Sequence, residues 1–137
     1  METKKIKFKN SNLCLVCIPD GTKKVTRQQL GHLDLEVNSL FIPNGCEEIY
    51  ENAFECFPNT KDLWIPLSLS RLSFKTLKSL KMLNNIIIHN STNEKLPDRF
   101  MPSLPEAIYD KKNVYDTLKS FSYSKNIKFY FASNDNI

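Results

Sequence analysis

Short apolar runs recur along the first two-thirds of the chain at a nearly constant interval. Ile-Pro occurs at 18–19, 42–43 and 65–66, and Ile88-His89 stands where a fourth such pair is expected. The intervals between the isoleucines are 24, 23 and 23 residues (42 − 18, 65 − 42 and 88 − 65). Self-similarity with a period of roughly 20 to 50 residues is the signature of stacked structural repeats. The pattern therefore predicts a repeat protein.

Apolar residues match at further offsets from each isoleucine. They stand two residues before it (Val16, Leu40, Leu63, Ile86), seven after it (Val25, Ile49, Leu72), twelve after it (Leu30, Phe54, Leu77, Phe100) and fifteen after it (Leu33, Phe57, Leu80). Each unit is predicted to hold a short strand that ends at proline, since proline cannot donate to a β-ladder. A turn such as Asn44-Gly45 and a short helical turn such as 47–57 follow. Because no unit can bury its apolar face alone, stacked units share one core.

The segment 42–66, IPNGCEEIYENAFECFPNTKDLWIP, resembles the BspA-like leucine-rich repeat family. Ala53-Phe54 and Cys56 correspond to the family's Ala-Phe and the cysteine that follows it, and Leu63 and Ile65 correspond to its next strand. The resemblance implies an α/β repeat fold, a short leucine-rich-repeat solenoid. Its short parallel strands would stack on one face and short helices or turns on the other, with caps at both ends.

The chain departs from this family in two repeats, where Gln29-Leu30 and Thr76-Leu77 replace Ala-Phe. The segment 107–131 resembles the family's closing element, in which a strand is followed by a short helix and a final strand. We therefore predict a single domain, 1–137. Its parts are an N-terminal cap at 1–15, regular repeats at 16–89, a degenerate repeat or loop at 90–106 with Phe100 inserted into the core, and a C-terminal cap at 107–137.

Strand periodicity also predicts which side chains face away from the core, because successive residues point to opposite sides. The outward stripe consists of Phe41, Trp64 and Ile87, edged by Asp62, Asn85 and His89. Aromatic stripes of this kind are typical of binding surfaces, and repeat proteins usually bind through the strand face. We expect these six residues to contact a partner protein or a second copy of the chain. The alternative is that the N- or C-terminal segment covers the stripe.

A second candidate surface is basic. Arg71, Lys75, Lys78 and Lys81 recur at helical spacing, on the face opposite Leu72, Leu77 and Leu80. Such a stripe would contact phosphates or an acidic protein. The alternative is that these residues form the solvated face of an amphipathic helix, so nucleic-acid binding is the less favoured interpretation.

Composition changes this picture little. The 137 residues include 19 basic and 15 acidic ones, and the net charge of +4 does not by itself indicate nucleic acid or membrane. No apolar run approaches the roughly 18 residues that would span a bilayer, and the polar N-terminus does not resemble a signal peptide. We therefore expect a soluble, cytoplasmic protein with reduced thiols.

Catalytic and metal chemistry find no support in the sequence. Cys14 and Cys17 form a CxxC pair, but strand residues three apart point to opposite faces, which does not suit a metal or redox site. Neither His32 nor His89 has a nucleophile or a second ligand at a useful spacing, and phosphate-binding glycine loops are absent. We predict no enzyme activity, no metal and no cofactor.

The function predicted from these features is protein–protein interaction through the strand face, in one version as a small viral inhibitor of a host factor. The alternative is a self-associating, homodimeric repeat protein.

Overall fold

The computed structural model describes residues 3–134, which contain two β-sheets. The strands are β1 (Lys4–Lys7), β2 (Cys14–Cys17), β3 (Lys24–Val25), β4 (Ser39–Phe41), β5 (Glu48–Ile49), β6 (Asp62–Pro66), β7 (Arg71–Leu72), β8 (Asn85–His89), β9 (Arg99–Pro102) and β10 (Lys128–Ser133). The helices are a 3-10 helix at Arg27–Leu30, α1 (Phe74–Lys78), α2 (Pro105–Ile108) and α3 (Lys112–Ser124). The larger sheet has the order β1-β2-β4-β6-β8-β10-β9 and the smaller one the order β3-β5-β7.

The chain alternates between the two sheets, and residues one sequence interval apart lie opposite each other on neighbouring strands. In the larger sheet Leu40 is opposite both Val16 and Leu63 across parallel strand pairs, and Leu63 is opposite Ile86. The smaller sheet is parallel as well, with Ile49 opposite both Val25 and Leu72. Strand pairing thus follows the spacing of 24 and 23 residues seen in the sequence, while the assignment to leucine-rich repeats stays a prediction.

The main core lies where the inward faces of the two sheets meet. Its fully buried members include Leu40, Ile42, Phe54, Leu63, Ile65, Leu77, Ile86 and Ile88. Turns keep the successive units aligned. Gly45 has a φ of 105°, a value that favours glycine, and its N–H donates to Ser68 Oγ at 2.7 Å in the next unit. The Ser68 hydroxyl donates in turn to the carbonyl of Cys46 at 2.7 Å, which links neighbouring units through one side chain.

Two residues predicted to lie in the core are instead exposed. The exposed fraction of Leu33 is 62%, because the 3-10 helix ends at Leu30 and Gly31, with a φ of 80°, turns the chain outward. The exposed fraction of Phe100 is 51%. Phe100 lies in β9, which pairs antiparallel with β10 and so does not continue the repeat. Prolines in 90–106 favour extended backbone in the preceding residues, which is consistent with this strand.

The N-terminal end of the larger sheet is closed by a hairpin. Strand β1 pairs antiparallel with β2, which places Ile6 opposite Leu15. Lys5 Nζ lies 2.8 Å from a carboxylate oxygen of Asp34 and 2.8 Å from one of Glu36, so β1 is also joined to the loop that leads into β4.

The C-terminal end differs from the predicted strand–helix–strand order. Residues 105–108 form α2 in place of a strand, because Pro105 occupies the first helical turn, where its missing N–H costs nothing. Helix α3 follows and buries Val114, Leu118 and Phe121, which are spaced for one helical face. It also covers the free edge of β7: the Leu72 N–H donates to Asn113 Oδ1 at 2.9 Å, and the Thr117 hydroxyl donates to the Leu72 carbonyl at 2.8 Å. The final strand, β10, agrees with the prediction.

Candidate binding groove

The outward side chains of the larger sheet form a row across the strands. Trp64 is opposite Phe41 on one side and Ile87 on the other, as the spacing predicts. Beyond Ile87 the row continues to Tyr130 on β10, and beyond Phe41 it continues to Cys17 on β2. Adjacent members are separated by about 4.8 Å, the spacing of paired strands. The predicted stripe is therefore the central part of a five-residue row.

One end of this row, formed by Cys17 and Phe41, is covered by the chain itself. The exposed fractions of Phe41, Ile87 and His89 are 1%, 5% and 0%, so the expected exposed stripe does not exist at these three positions. The His89 imidazole stacks on the Phe41 ring, with centroids 4.4 Å apart and an interplanar angle of 25°. A second small core forms here from Leu15, Cys17 and Phe41, with Ile6 and Trp64 packed against it. Intramolecular cover by the N-terminal strand thus accounts for one end of the row.

His89 has a structural role in this cover. The Ser91 N–H donates to His89 Nδ1 at 3.0 Å, so Nε2 carries the ring proton and donates to the Ile42 carbonyl at 2.8 Å. Burial lowers the pKa of His89 to about 4, and the hydrogen bond to the Ile42 carbonyl opposes this shift. The imidazole is therefore neutral at pH 7 and fastens the end of β8 to the end of β4.

The segment 90–98 extends this contact across the carboxyl ends of the strands. The Asn44 N–H donates to the Ser91 carbonyl at 2.8 Å. Further along, the Asn93 backbone N–H donates to Asp20 Oδ1 at 3.0 Å, and Asn93 Nδ2 donates to the Ile18 carbonyl at 2.6 Å. The segment therefore crosses the ends of β4 and β2 before the chain returns to β9, an arrangement with no signal in the sequence.

The other end of the row, from Trp64 to Tyr130, lines an open groove. Its cavity has a volume of about 340 Å³ and is lined by Asp62, Trp64, Asn85, Ile87, Phe100 and Tyr130. Four of the six predicted partner-binding residues are among them. The Phe100 ring lies 5.2 Å from Trp64 at 61° and 6.4 Å from Tyr130 at 79°, so it stands steeply against both neighbours. At the end of the groove Asn85 Nδ2 donates to Asp62 Oδ1 at 2.8 Å.

Two of the six groove residues were not predicted from the sequence. Tyr130 could have been found, because alternation within Phe129-Tyr130-Phe131 places the middle residue outward once its neighbours face the core. Phe100 could not have been found in this way, since its position depends on the antiparallel pairing of β9 with β10.

The four basic residues are exposed but do not share one helical face, so that prediction is wrong. Arg71 lies in β7, where it is opposite Glu48 of β5. Helix α1 begins only after Ser73, whose hydroxyl accepts the Lys75 N–H at 3.1 Å, and it ends at Lys78. Lys81 lies beyond the helix. The ammonium of Lys75 is 4.0 Å from a carboxylate oxygen of Glu51.

The four cysteines are buried free thiols. Burial raises the pKa of each, that of Cys46 to about 11, so the thiols stay protonated at neutral pH. Within residues 3–134 the histidines, cysteines and carboxylates nowhere gather in groups of three that could hold a metal ion. Helices in the same part of the chain are all too short or too polar to cross a bilayer.

Comparison with known proteins adds no relative, since no family model, curated protein or solved structure matches this chain.

Proposed function

We propose that this protein is a non-enzymatic binding module that holds a segment of a partner protein in the groove between Trp64 and Tyr130. The observation that carries this proposal is the meeting of three aromatic rings at one open site, with Phe100 51% exposed. Tryptophan and tyrosine are enriched among residues that dominate binding energy. Ile87 at the base of the groove is buried and holds the floor in place.

We further propose that the module is a short BspA-like leucine-rich-repeat protein that works in the cytoplasm. The 23-residue return of the parallel strands supports the repeat assignment. The four buried free thiols are consistent with a reducing compartment.

The test is capture of partners with groove variants. Trp64→Ala and Phe100→Ala shorten two walls of the groove, while Leu33→Ala, at a similarly exposed position in another part of the chain, is the matched control. We expect a protein that is retained by the native chain and by the control to be lost from both groove variants. Retention of the same proteins by all four forms, each shown to be folded by circular dichroism, would refute the proposal.

Self-association is a second candidate, favoured by exposed apolar side chains at the β9 end of the sheet. The exposed fractions of Phe100, Met101 and Leu104 are 51%, 68% and 61%. Static light scattering of the native chain and of Met101→Lys separates this candidate from the first. A dimer mass that falls to the monomer mass in the variant would support it, whereas a monomer at all concentrations would exclude it.

Nucleic-acid binding is the least favoured proposal. Lys5 and Lys7 of β1, at one edge of the larger sheet, form ion pairs with Glu36 in the loop before β4. Helix α1 carries only Lys75 and Lys78. Binding that weakens steeply with salt and is lost in Lys75→Glu and Lys78→Glu would revive it.

A further inference from the structure

We infer that the groove recognises an arginine side chain of the partner, an inference that rests on the proposed binding function. The groove combines aromatic walls with a carboxylate at one end, supplied by Asp62. A cation within about 6 Å of a ring centroid is attracted by the face of an aromatic ring. A carboxylate beside such rings therefore selects a positively charged group over a neutral one.

The charge of Asp62 is free to take part. Within residues 3–134 the ion pairs involve other carboxylates, and no lysine or arginine nitrogen lies within 4.0 Å of the Asp62 carboxylate. One carboxylate oxygen accepts from Asn85 at 2.8 Å, which holds the group in place. The other oxygen has no hydrogen-bond donor in the part of the chain that the structure describes, and Asp62 is only half-buried.

The geometry favours a guanidinium over an ammonium. The amide oxygen of Asn85 is a second acceptor beside the Asp62 carboxylate, and among the described residues nothing donates to it. Arginine presents five N–H donors in a planar fork and also stacks flat on aromatic rings. Its apolar stem would lie along Ile87, and its planar head would reach both acceptors. Lysine offers a compact charge with no flat face to stack.

One positive charge opposes this arrangement. Lys128 is opposite Asn85 on β10 and is exposed. Its ammonium weakens the attraction for a basic ligand, so Lys128→Ala is expected to strengthen arginine binding.

The experiment uses Trp64, the only tryptophan of the chain, as a fluorescent reporter inside the groove. The native protein is titrated with a five-residue glycine–serine peptide that carries one central arginine. Matched peptides carry citrulline, lysine or trimethyl-lysine at the same position. Citrulline keeps the shape of arginine and lacks its charge. We expect the arginine peptide to change the Trp64 emission and to bind at least about tenfold more tightly than the citrulline peptide.

Variants then locate the charge. Asp62→Asn keeps an acceptor for Asn85 and should weaken arginine binding about tenfold without changing citrulline binding. Asp116→Asn removes the same charge from α3, outside the groove, and should change neither. Any of four results would overturn the arginine assignment: equal affinity for the arginine and citrulline peptides, unchanged arginine binding in Asp62→Asn, no fluorescence response at about 1 mM peptide, or tighter binding of the lysine or trimethyl-lysine peptide.

Failure of this inference is distinguishable from failure of the proposed function. If partner capture is lost in Trp64→Ala and Phe100→Ala but kept in Asp62→Asn, the groove binds a partner and arginine is not what it recognises. If all three variants capture the same proteins as the native chain, the binding function itself is refuted.

Discussion

The covered and open ends of the outward face lead to a quantitative prediction about two phenylalanines. Phe41 and Phe100 both lie on the outward face, but Phe41 is 1% exposed and Phe100 is 51% exposed. Phe41→Ala removes a ring that stacks on His89 and leaves a cavity, which costs about 3–5 kcal/mol. Phe100→Ala loses about 100 Å² of buried apolar area in a site open to solvent, which costs about 2.5 kcal/mol at most.

The two costs are compared by urea denaturation, followed by circular dichroism and by Trp64 fluorescence. Phe41→Leu is the control, because it keeps most of the apolar volume and should cost only about 1 kcal/mol. We expect Phe41→Ala to lower the free energy of unfolding by about 4 kcal/mol, and by at least about 1 kcal/mol more than Phe100→Ala. Equal losses in the two alanine variants, or a loss below about 1.5 kcal/mol for Phe41→Ala, would show that the first ring is not part of a core.

Three further predictions concern the side chains of His89, Asn113 and Cys46. The free energy of unfolding of the native chain should decrease as the pH falls from 6.5 to about 4, because His89 takes up a proton in the unfolded chain but stays neutral when buried. In His89→Gln this decrease should be smaller by roughly 3 kcal/mol, as measured by urea denaturation at a series of pH values. The same pH dependence in both proteins would contradict the role of the imidazole. Asn113→Ala should cost about 1–2 kcal/mol and speed hydrogen exchange at the Leu72 amide, whereas Lys112→Ala on the same helix should do neither. Cys46 should react with a thiol reagent only after unfolding; rapid reaction of the native chain would contradict its burial.

The sequence predicts the spacing of the parallel strands, because each strand and the turn after it carry local signals. The strand spacing depends on prolines and glycine turns that act over a few residues, and the register follows from alternation within each strand. Trp64 is therefore found between Phe41 and Ile87, as the spacing requires. The basic segment is harder to predict. Leu72 lies at helical spacing from the apolar residues that follow it, but Arg71 and Leu72 form a strand because they pair with β5.

Exposure of the row could not be predicted, because direction and burial are decided by different interactions. Alternation states which way a side chain points, and only distant segments decide whether something lies over it. Phe41 is covered by the ring of His89, 48 residues further along (89 − 41), and by a cluster that includes Ile6. No local pattern in the sequence encodes these contacts.

The groove itself depends on the C-terminal segment. If β10 had followed β8 as another regular unit, the outward row would have continued as a flat surface at Tyr130. Instead β9 turns back antiparallel beside β10 and brings Phe100 to within 5.2 Å of Trp64, three strands away in the sheet order. A flat row offers ring faces in one plane, whereas these steeply inclined rings form two walls around a space of about 340 Å³. Strand β9 thus both ends the sheet and makes a concave site, so shortening Phe100 should weaken the proposed partner binding more than it weakens folding.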